Sequence, residues 1–497
     1  MSSFNGIYTV RSGLDAARRA MDVVGQNVAN ANTAGYTRQE VSFVSAEPSH
    51  VIKSPGRGIS ESLVLRYRDQ FLDKQYRARA GAQGYYSALN SQLGQVEAAM
   101  GDLSDGSIRN TMDAFFSAWD TLAQHPNDPA FKSGVVRAAG DFINQARSIF
   151  NDLAGMRSSI DTTVQAKVDE VNSAAQQIVE LNKAIMAAQT KGQPPNDLLD
   201  QRDRLLDSLA KLAGTTSVEH SDGSVTVHLG SLPIVDKTVA WSIKGTTAVE
   251  PDQDADPALT SYQQNLTSFT FDGTNNPALF SGGEIGGLLK VRDEAIPEYM
   301  KYLDTAVRSV ATAVNGVHMR PDTAGNPLTA PVPIFTDATG ALPLGSQWLD
   351  IVVNPAVVSD PSLVLAGDPG WDPVASTQTA PGASDGRRAL DIARLQNQPL
   401  LTGAPVGTKV VAPGEYLRAI TTSLGLDIQQ AQRMSEGADM QASQVSQQRE
   451  SVSGVSLDEE MTKMIQFQQT YNAAARVMTS MDELLDVIVN RLGSFGR

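Results

Sequence analysis

The chain begins with a helical pattern in which apolar residues recur at alternating steps of three and four. Two apolar positions in every seven residues form the seam of a coiled coil, so the pattern predicts a partner helix. Gly6, Gly13 and Gly25 each weaken this helix by about 1 kcal/mol relative to alanine, and an isolated helix is marginal in water. We therefore expect a companion helix elsewhere in the chain. The seam residues are Ile7, Val10, Leu14, Ala17, Met21, Val24 and Val28.

The companion helix is predicted at the other end of the chain. Ser456, followed three residues later by Glu459, matches a capping box, which marks the start of a helix. Acidic residues in the first turn suit the positive end of the helix dipole. Apolar residues then continue at helical spacing almost to the C-terminal glycines. The seam residues of this second helix are Leu457, Met461, Met464, Tyr471, Met478, Met481, Leu485, Ile488 and Leu492.

The two terminal stretches resemble a known family. Residues 12–41, SGLDAARRAMDVVGQNVANANTAGYTRQEV, resemble the N-terminal signature of the bacterial flagellar rod, hook and hook-associated proteins. Residues 453–492, which include the DEEM sequence at 458–461, resemble their C-terminal signature. Residues 181–214 are similar to an internal helical segment of the hook-associated members. The resemblance implies a structural protein of the flagellar axis that joins hook to filament, with the two seams as its assembly interface.

The resemblance also implies partners and a location. The expected partners are copies of the chain itself in a ring or helical array, the flagellar hook protein, the second hook-associated junction protein, and a cytoplasmic export chaperone at the C-terminal helix. The expected location is the extracellular flagellum, reached through type III export without a cleaved signal peptide. Two alternatives stay open: a hook or distal-rod protein of the same family, which usually has more β structure between the signatures, or a secreted coiled-coil adhesin or enzyme.

Between the two ends the periodicity predicts a mainly α protein with inserted β structure. Long helical stretches with few breaks favour an elongated bundle, and Asp222-Gly223 between alternating runs predicts a hairpin. We expect a terminal coiled-coil domain at 1–35 and 456–497, and an elongated α-helical core domain at 36–320 and 383–455 with a β element at about 215–281. A β-rich inserted outer domain is expected at 321–382, and we expect the remaining fold to be independent of it.

Composition argues against several classes of function. The chain has 497 residues, too many for a single core, and a net charge of −15, which disfavours a nucleic-acid or anionic membrane surface. Because it has no cysteine, it lacks a thiol nucleophile and a thiolate metal site. No apolar run approaches the 18 residues or so of a membrane span. Together with the negative net charge, this leads us to expect no membrane partner and no nucleic acid.

Two charged stretches and one histidine pair are candidates for a site. The basic stretch at 66–79 predicts either a solvated helix face or a patch complementary to an acidic neighbour. Asp200, Asp203 and Asp207 alternate with arginines along a predicted helix, which indicates a solvated face with local ion pairs. His220 and His228 share one face of the predicted hairpin, but no carboxylate completes a metal set. We therefore predict no catalytic residue, no cofactor and no metal site.

Overall fold

The computed structural model describes most of the chain, in several stretches. The described residues are 2–45, 58–101, 107–190, 195–249, 264–274, 276–328, 331–342, 350–372, 375, 377–382, 384–405 and 409–487. Within them the chain is mainly helical with small β sheets, so the predicted fold class is confirmed.

The helices follow the predicted pattern closely. A π-helical turn at Val291–Ala295 joins two of them, and short 3₁₀ turns lie at Pro361–Leu363 and Leu395–Asn397. The α-helices are α1 (Ser2–Ala29), α2 (Gln70–Met100), α3 (Ile108–Gln124), α4 (Pro129–Thr190), α5 (Asn196–Ala213), α6 (Gly283–Lys290), α7 (Ile296–His318), α8 (Pro355–Ser359), α9 (Arg387–Arg394), α10 (Pro413–Ser453) and α11 (Leu457–Asp486).

The strands of the described residues form small antiparallel sheets. The largest has four strands in sequence order, and Gly223, at φ 76°, turns its first hairpin as predicted. That sheet contains β3 (Thr216–Glu219), β4 (Val225–Leu229), β5 (Leu232–Asp236) and β6 (Val239–Ala240). The two-stranded pairs are β1 (Gln39–Ser45) with β2 (Ile59–Arg66), β7 (Ile243–Val249) with β8 (Asn265–Phe271), β9 (Phe335–Thr336) with β10 (Val352–Val353), and β11 (Gly370–Asp372) with β12 (Thr377–Thr379).

Helix α4 organises the body of the protein. Its 62 residues span about 93 Å at the usual rise of about 1.5 Å per residue, so the body is elongated along it. Apolar residues recur every three or four positions and are buried against α3, α5 and α7. The aromatic rings of Phe115 on α3 and Phe142 on α4 stack with centroids 6.2 Å apart. Trp119 on α3 is fully buried beside them.

Two glycines of α2 allow α5 to pack unusually close to it. A Cβ at Gly81 would lie 3.0 Å from the Ala210 carbonyl oxygen, and a Cβ at Gly84 would collide with the Lys211 carbonyl oxygen. These glycines weaken the helix on its own. Their benefit is tertiary: the close approach of α2 and α5 that they allow brings the charged residues of the two helices together.

The segment 321–382 does not form a separate core. Its described residues contain four strands of two or three residues, which makes the segment β-containing and mostly loop. Asn315 on α7 donates a hydrogen bond to the Phe335 carbonyl at 2.7 Å, and Arg147 on α4 donates one to the Ile351 carbonyl at 2.9 Å. This shared packing argues against the independence that we expected of the segment. Its residues in the core of the helical body are Ile334, Phe335, Ile351, Val357, Val364 and Ala366.

Candidate functional site: the terminal helix pair and its joint to the body

Helices α1 and α11 pack against each other in an antiparallel pair. Gly6, near the start of α1, lies against Met481 in the last turns of α11, where a Cβ would come within 2.9 Å of the Met481 Cε atom. Near the other end of the pair, Asn27 on α1 hydrogen-bonds to Glu460 on α11. The predicted pairing of the two chain ends is therefore confirmed.

The buried face of α1 is wider than the predicted seam. Ala17 and Val24 are buried as predicted, whereas the other seam residues (Ile7, Val10, Leu14, Met21 and Val28) are only partly buried. Four additional residues of α1 are buried, and each lies one position before a predicted seam residue: Ala16, Ala20, Val23 and Asn27. The reason is that α1 packs against the β1–β2 hairpin as well as against α11, so a two-position seam cannot describe it.

Helix α11 carries apolar residues on more than one face. The seam residues Met464, Met478, Met481 and Leu485 are partly buried, but Leu457, Met461 and Tyr471 are exposed. Ile488 and Leu492 lie outside the described residues. Four further apolar residues that the seam did not include are exposed as well, namely Ile465, Val477, Leu484 and Val487. A single chain therefore leaves a large part of the apolar surface of α11 uncovered.

A buried polar cluster, which we call the polar clamp, joins the two terminal signatures. It consists of Asn27, Tyr36, Arg38, Gln39 and Glu460. Asn27, fully buried, donates hydrogen bonds to the Glu460 carboxylate at 2.9 Å and to the Gln39 carbonyl at 2.8 Å. It accepts hydrogen bonds from the Gln39 amide at 3.0 Å and from the Tyr36 hydroxyl at 2.9 Å. Both functional groups of the Asn27 side chain are thus fully used.

The Glu460 carboxylate also has a cationic partner. Glu460 is 1% exposed and its carboxylate lies 3.2 Å from Arg38 Nε, while the neighbouring Glu459 pairs with Arg38 at 3.0 Å. The predicted capping box is wrong, because the Ser456 side chain makes no cap hydrogen bond and Glu459 points to Arg38 instead. Burial, followed by the negative charges of Asp200, Asp197 and Glu460, raises the pKa of Tyr36 to about 12. The Tyr36 hydroxyl therefore keeps its proton and remains a donor.

The polar clamp fixes the register of the helix pair. A shift of α11 along α1 would separate the buried Glu460 carboxylate from both Asn27 and Arg38. A buried polar group left without a partner costs about 1–3 kcal/mol, more if it is charged. A buried asparagine in a helical interface has this role in coiled coils. Sequence reasoning missed the clamp because it followed only the apolar positions. The available signal was Asn27 itself, a polar residue at the helical spacing of Ala20 and Val23.

A second polar cluster, the ionic joint, connects the terminal region to the body. It brings together residues of β2, the following turn, α2, α5 and α10. Four arginines meet four aspartates, so their formal charges cancel. Its members are Arg66, Arg68, Asp73, Arg77, Asp200, Asp203, Asp207 and Arg449.

Asp203 lies at the centre of the ionic joint. Arg66 Nη1, Arg77 Nη2 and Arg68 Nη1 approach its carboxylate at 2.9, 3.0 and 3.2 Å. Burial raises the pKa of Asp203, but the three arginines Arg68, Arg66 and Arg77 outweigh it and hold that pKa below its usual value. At neutral pH the Asp203 side chain is therefore an ionised partner of all three.

The charged stretches were only partly interpreted from the sequence. The solvated face predicted for Asp200 and Asp203 is wrong, because the two residues are only 4% and 7% exposed. For the basic stretch at 66–79, the complementary patch is the correct alternative, and its acidic neighbour is α5 of the same chain. The reason for the error is that local spacing does not show which residues more than a hundred positions away will cover a helix.

The histidines and helices of the described part of the chain bear on metal binding and membrane spanning. The His220 ring nitrogen lies 2.8 Å from the Thr226 hydroxyl, within the β3–β4 hairpin. Among the described residues, no group of three or more His, Cys, Asp or Glu side chains is arranged to hold a metal ion. None of the described helices is long and apolar enough to cross a membrane.

Three family models match the chain, and two of them include members of the polar clamp. "Flagella basal body rod protein" matches residues 7–37, with Asn27 and Tyr36, and "Flagellar basal body rod FlgEFG protein C-terminal" matches 446–492, with Glu460. The chain therefore belongs to the axial proteins of the bacterial flagellum, the family that the terminal signatures indicated. "Flagellar hook-associated protein FlgK helical domain" matches residues 93–327. Within the family, the chain belongs with the hook-associated proteins.

Curated relatives and one solved structure agree with this assignment. The chain is 29% identical over 530 residues to flagellar hook-associated protein 1 of Bacillus subtilis, covering 100% of both chains. It is 26% identical to the protein of that name from Escherichia coli, covering 97% of this chain and 99% of the relative. The flagellar hook junction protein FlgK from Burkholderia pseudomallei has the same fold, with a TM-score of 0.58 and 18% identity over 76% of this chain and 100% of that one.

Proposed function

We propose that this protein is a structural subunit that joins the flagellar hook to the filament, with the α1–α11 pair as its assembly element. The proposal is supported by the two terminal family signatures, the internal helical domain and the relatives named as hook-associated proteins. The helical domain favours this assignment over a hook or distal-rod protein. The protein would act by packing and not by catalysis, in the extracellular flagellum.

The exposed apolar surface of α11 is the observation that carries the proposal. Leu457, Met461 and Ile465 are 51%, 53% and 52% exposed, and they follow each other at steps of four residues. Leu484 is 63% exposed near the end of the described helix. Contiguous apolar surface of this kind marks an interaction site in a soluble protein. A helix pair that is already complete within the chain can then pack its outer faces against the pairs of neighbouring subunits.

The proposed partners follow from this arrangement. Copies of the chain related by a heterologous contact generate a ring or helical array, and the exposed face of α11 would supply that contact. The hook protein and the second hook-associated junction protein would continue the array on either side. A cytoplasmic chaperone would cover the same apolar face of α11 before export, which keeps the surface from aggregating.

Two single substitutions on this face test the proposal. Ile465→Asp and Leu484→Asp are each expected to abolish motility when the variant is the only copy in the cell, with filaments shed into the medium. A carboxylate buried without a partner costs several kcal/mol at every subunit contact. Because both side chains are exposed in the monomer, its melting temperature should not change. The measurements are swimming, filament protein in the medium, and export of the variant itself.

A matched control keeps the result interpretable. Gln176→Asp adds the same charge at an exposed polar position of α4, away from the proposed contact face, and it should leave motility intact. A variant that fails to appear outside the cell reports an export defect and is replaced by Met461→Asp. Normal swimming with both Ile465→Asp and Leu484→Asp, at normal export, would contradict the proposal.

A further inference from the structure

The terminal region joins the body by polar contacts, in contrast to the interior of the body. We call α1, β1, β2 and α11 the terminal unit. The buried apolar residues of α1, such as Ala20 and Val24, do not belong to the hydrophobic core that runs through α2 to α10. Helix α11 packs mainly against α1. The attachment of the terminal unit must therefore come from other interactions.

One carboxylate, that of Asp200 on α5, collects several of these interactions. It accepts hydrogen bonds from Arg66 of β2 at 2.7 Å, and from the Thr37 hydroxyl and amide at 2.7 and 3.1 Å. Thr37 lies between α1 and β1 and Arg66 is the last residue of β2, so two separate segments of the terminal unit meet at Asp200. The next contact along α5 is similar, since Asn196 donates to the Gln39 side chain and the Val64 carbonyl, both at 3.1 Å.

Hydrogen bonds of this kind can fix the orientation of the terminal unit relative to the body. The free energy of apolar burial depends on the buried area and has no preferred direction. Charge-assisted hydrogen bonds, in contrast, are short and have a preferred geometry. Asp200 is held on a rigid helix whose other face is buried against α2 and α4. A terminal unit bound to such a carboxylate through two separate segments is held in one orientation.

We propose that Asp200 is a positioning residue that sets the direction in which the terminal helix pair leaves the body. Arg66 and Thr37 are its partners on the terminal unit. Without this carboxylate, the terminal unit swings relative to the body while both parts stay folded. The inference concerns the free monomer. Only its consequence, that subunits must present their helix pairs at one angle to join an array, rests on the proposed function.

The absence of native cysteine makes a distance measurement straightforward. Ala187→Cys on α4 and Ala473→Cys on α11 replace exposed alanines and carry two spin labels. Double electron–electron resonance on the monomer should give one narrow distance distribution. Asp200→Asn and Arg66→Gln should each cause loss of the narrow peak and a broad distribution, with helix content by circular dichroism unchanged.

Asp197→Asn is the control, because Asp197 is an exposed carboxylate one turn earlier on the same helix. It should leave the narrow peak in place. The proposal is overturned if Asp200→Asn and Arg66→Gln both keep the narrow peak. It is also overturned if both variants unfold, since the body is claimed not to depend on this contact. Neither result bears on whether the assembled protein joins hook to filament, which the motility assay decides separately.

Discussion

Phe335→Ala is expected to lower the free energy of unfolding of the body by about 3–5 kcal/mol. The Phe335 side chain is fully buried, and its ring packs edge-on against Phe115 of α3 with centroids 5.8 Å apart. Removing it leaves a cavity between segment 321–382 and the helices. Asn315 holds the backbone of Phe335 on both sides, so the segment cannot easily move in to fill the gap.

Leu342→Ala provides the matched control within the same segment. Leu342 is 41% exposed, so its truncation should change the free energy of unfolding by no more than about 0.5 kcal/mol. Urea unfolding followed by far-UV circular dichroism measures the free energy of unfolding of both variants. A loss below about 1 kcal/mol for Phe335→Ala would mean that the segment is independent of the helical core, as the sequence had suggested, and not part of it.

Glu460→Ala is expected to weaken the terminal helix pair by about 3 kcal/mol, because it removes a buried carboxylate that two groups of the N-terminal segment contact. Arg38 would lose its buried partner and Asn27 one of its two acceptors. The neighbouring Glu459 also pairs with Arg38, but its side chain is 60% exposed. Exposed ion pairs contribute about 1 kcal/mol or less, so Glu459→Ala should have little effect.

Amide hydrogen exchange separates these two variants. Glu460→Ala should increase exchange throughout α1 and α11 and leave α4 unchanged, since the clamp holds the terminal pair and not the body. Glu459→Ala should give the exchange pattern of the parent protein. Equal exchange in α11 for the two variants would show that the buried clamp does not stabilise the pair.

The helices were predictable because their signals are local. Helix α4 has a continuous apolar period and ends where glycine and prolines follow in the sequence. The buried face of α1 was less accessible. Ala16 and Ala20 are weak apolar signals beside Leu14 and Met21, and the contact with the hairpin adds a second buried direction that no single period can describe.

The charged site depended on tertiary structure. Asp200 and Asp203 have the spacing of a solvated helix face, and nothing near them in the sequence shows that Arg66 and Arg77 will cover them. Segment 321–382 is a similar case, since proline and glycine at its borders suggested an independent insert while its apolar residues join the helical core. The terminal signatures, by contrast, identified the family directly from the sequence.

Thiol protection tests most directly whether neighbouring subunits cover the outer face of the terminal helix pair. Because the chain has no cysteine, Leu484→Cys places a single thiol on α11, where the native side chain is 63% exposed. Under maleimide conditions that label the free monomer completely, intact flagella should stay unlabelled at this position, and dissociating them in urea should restore labelling. Labelling of position 484 in intact flagella at the rate of the monomer would contradict the account.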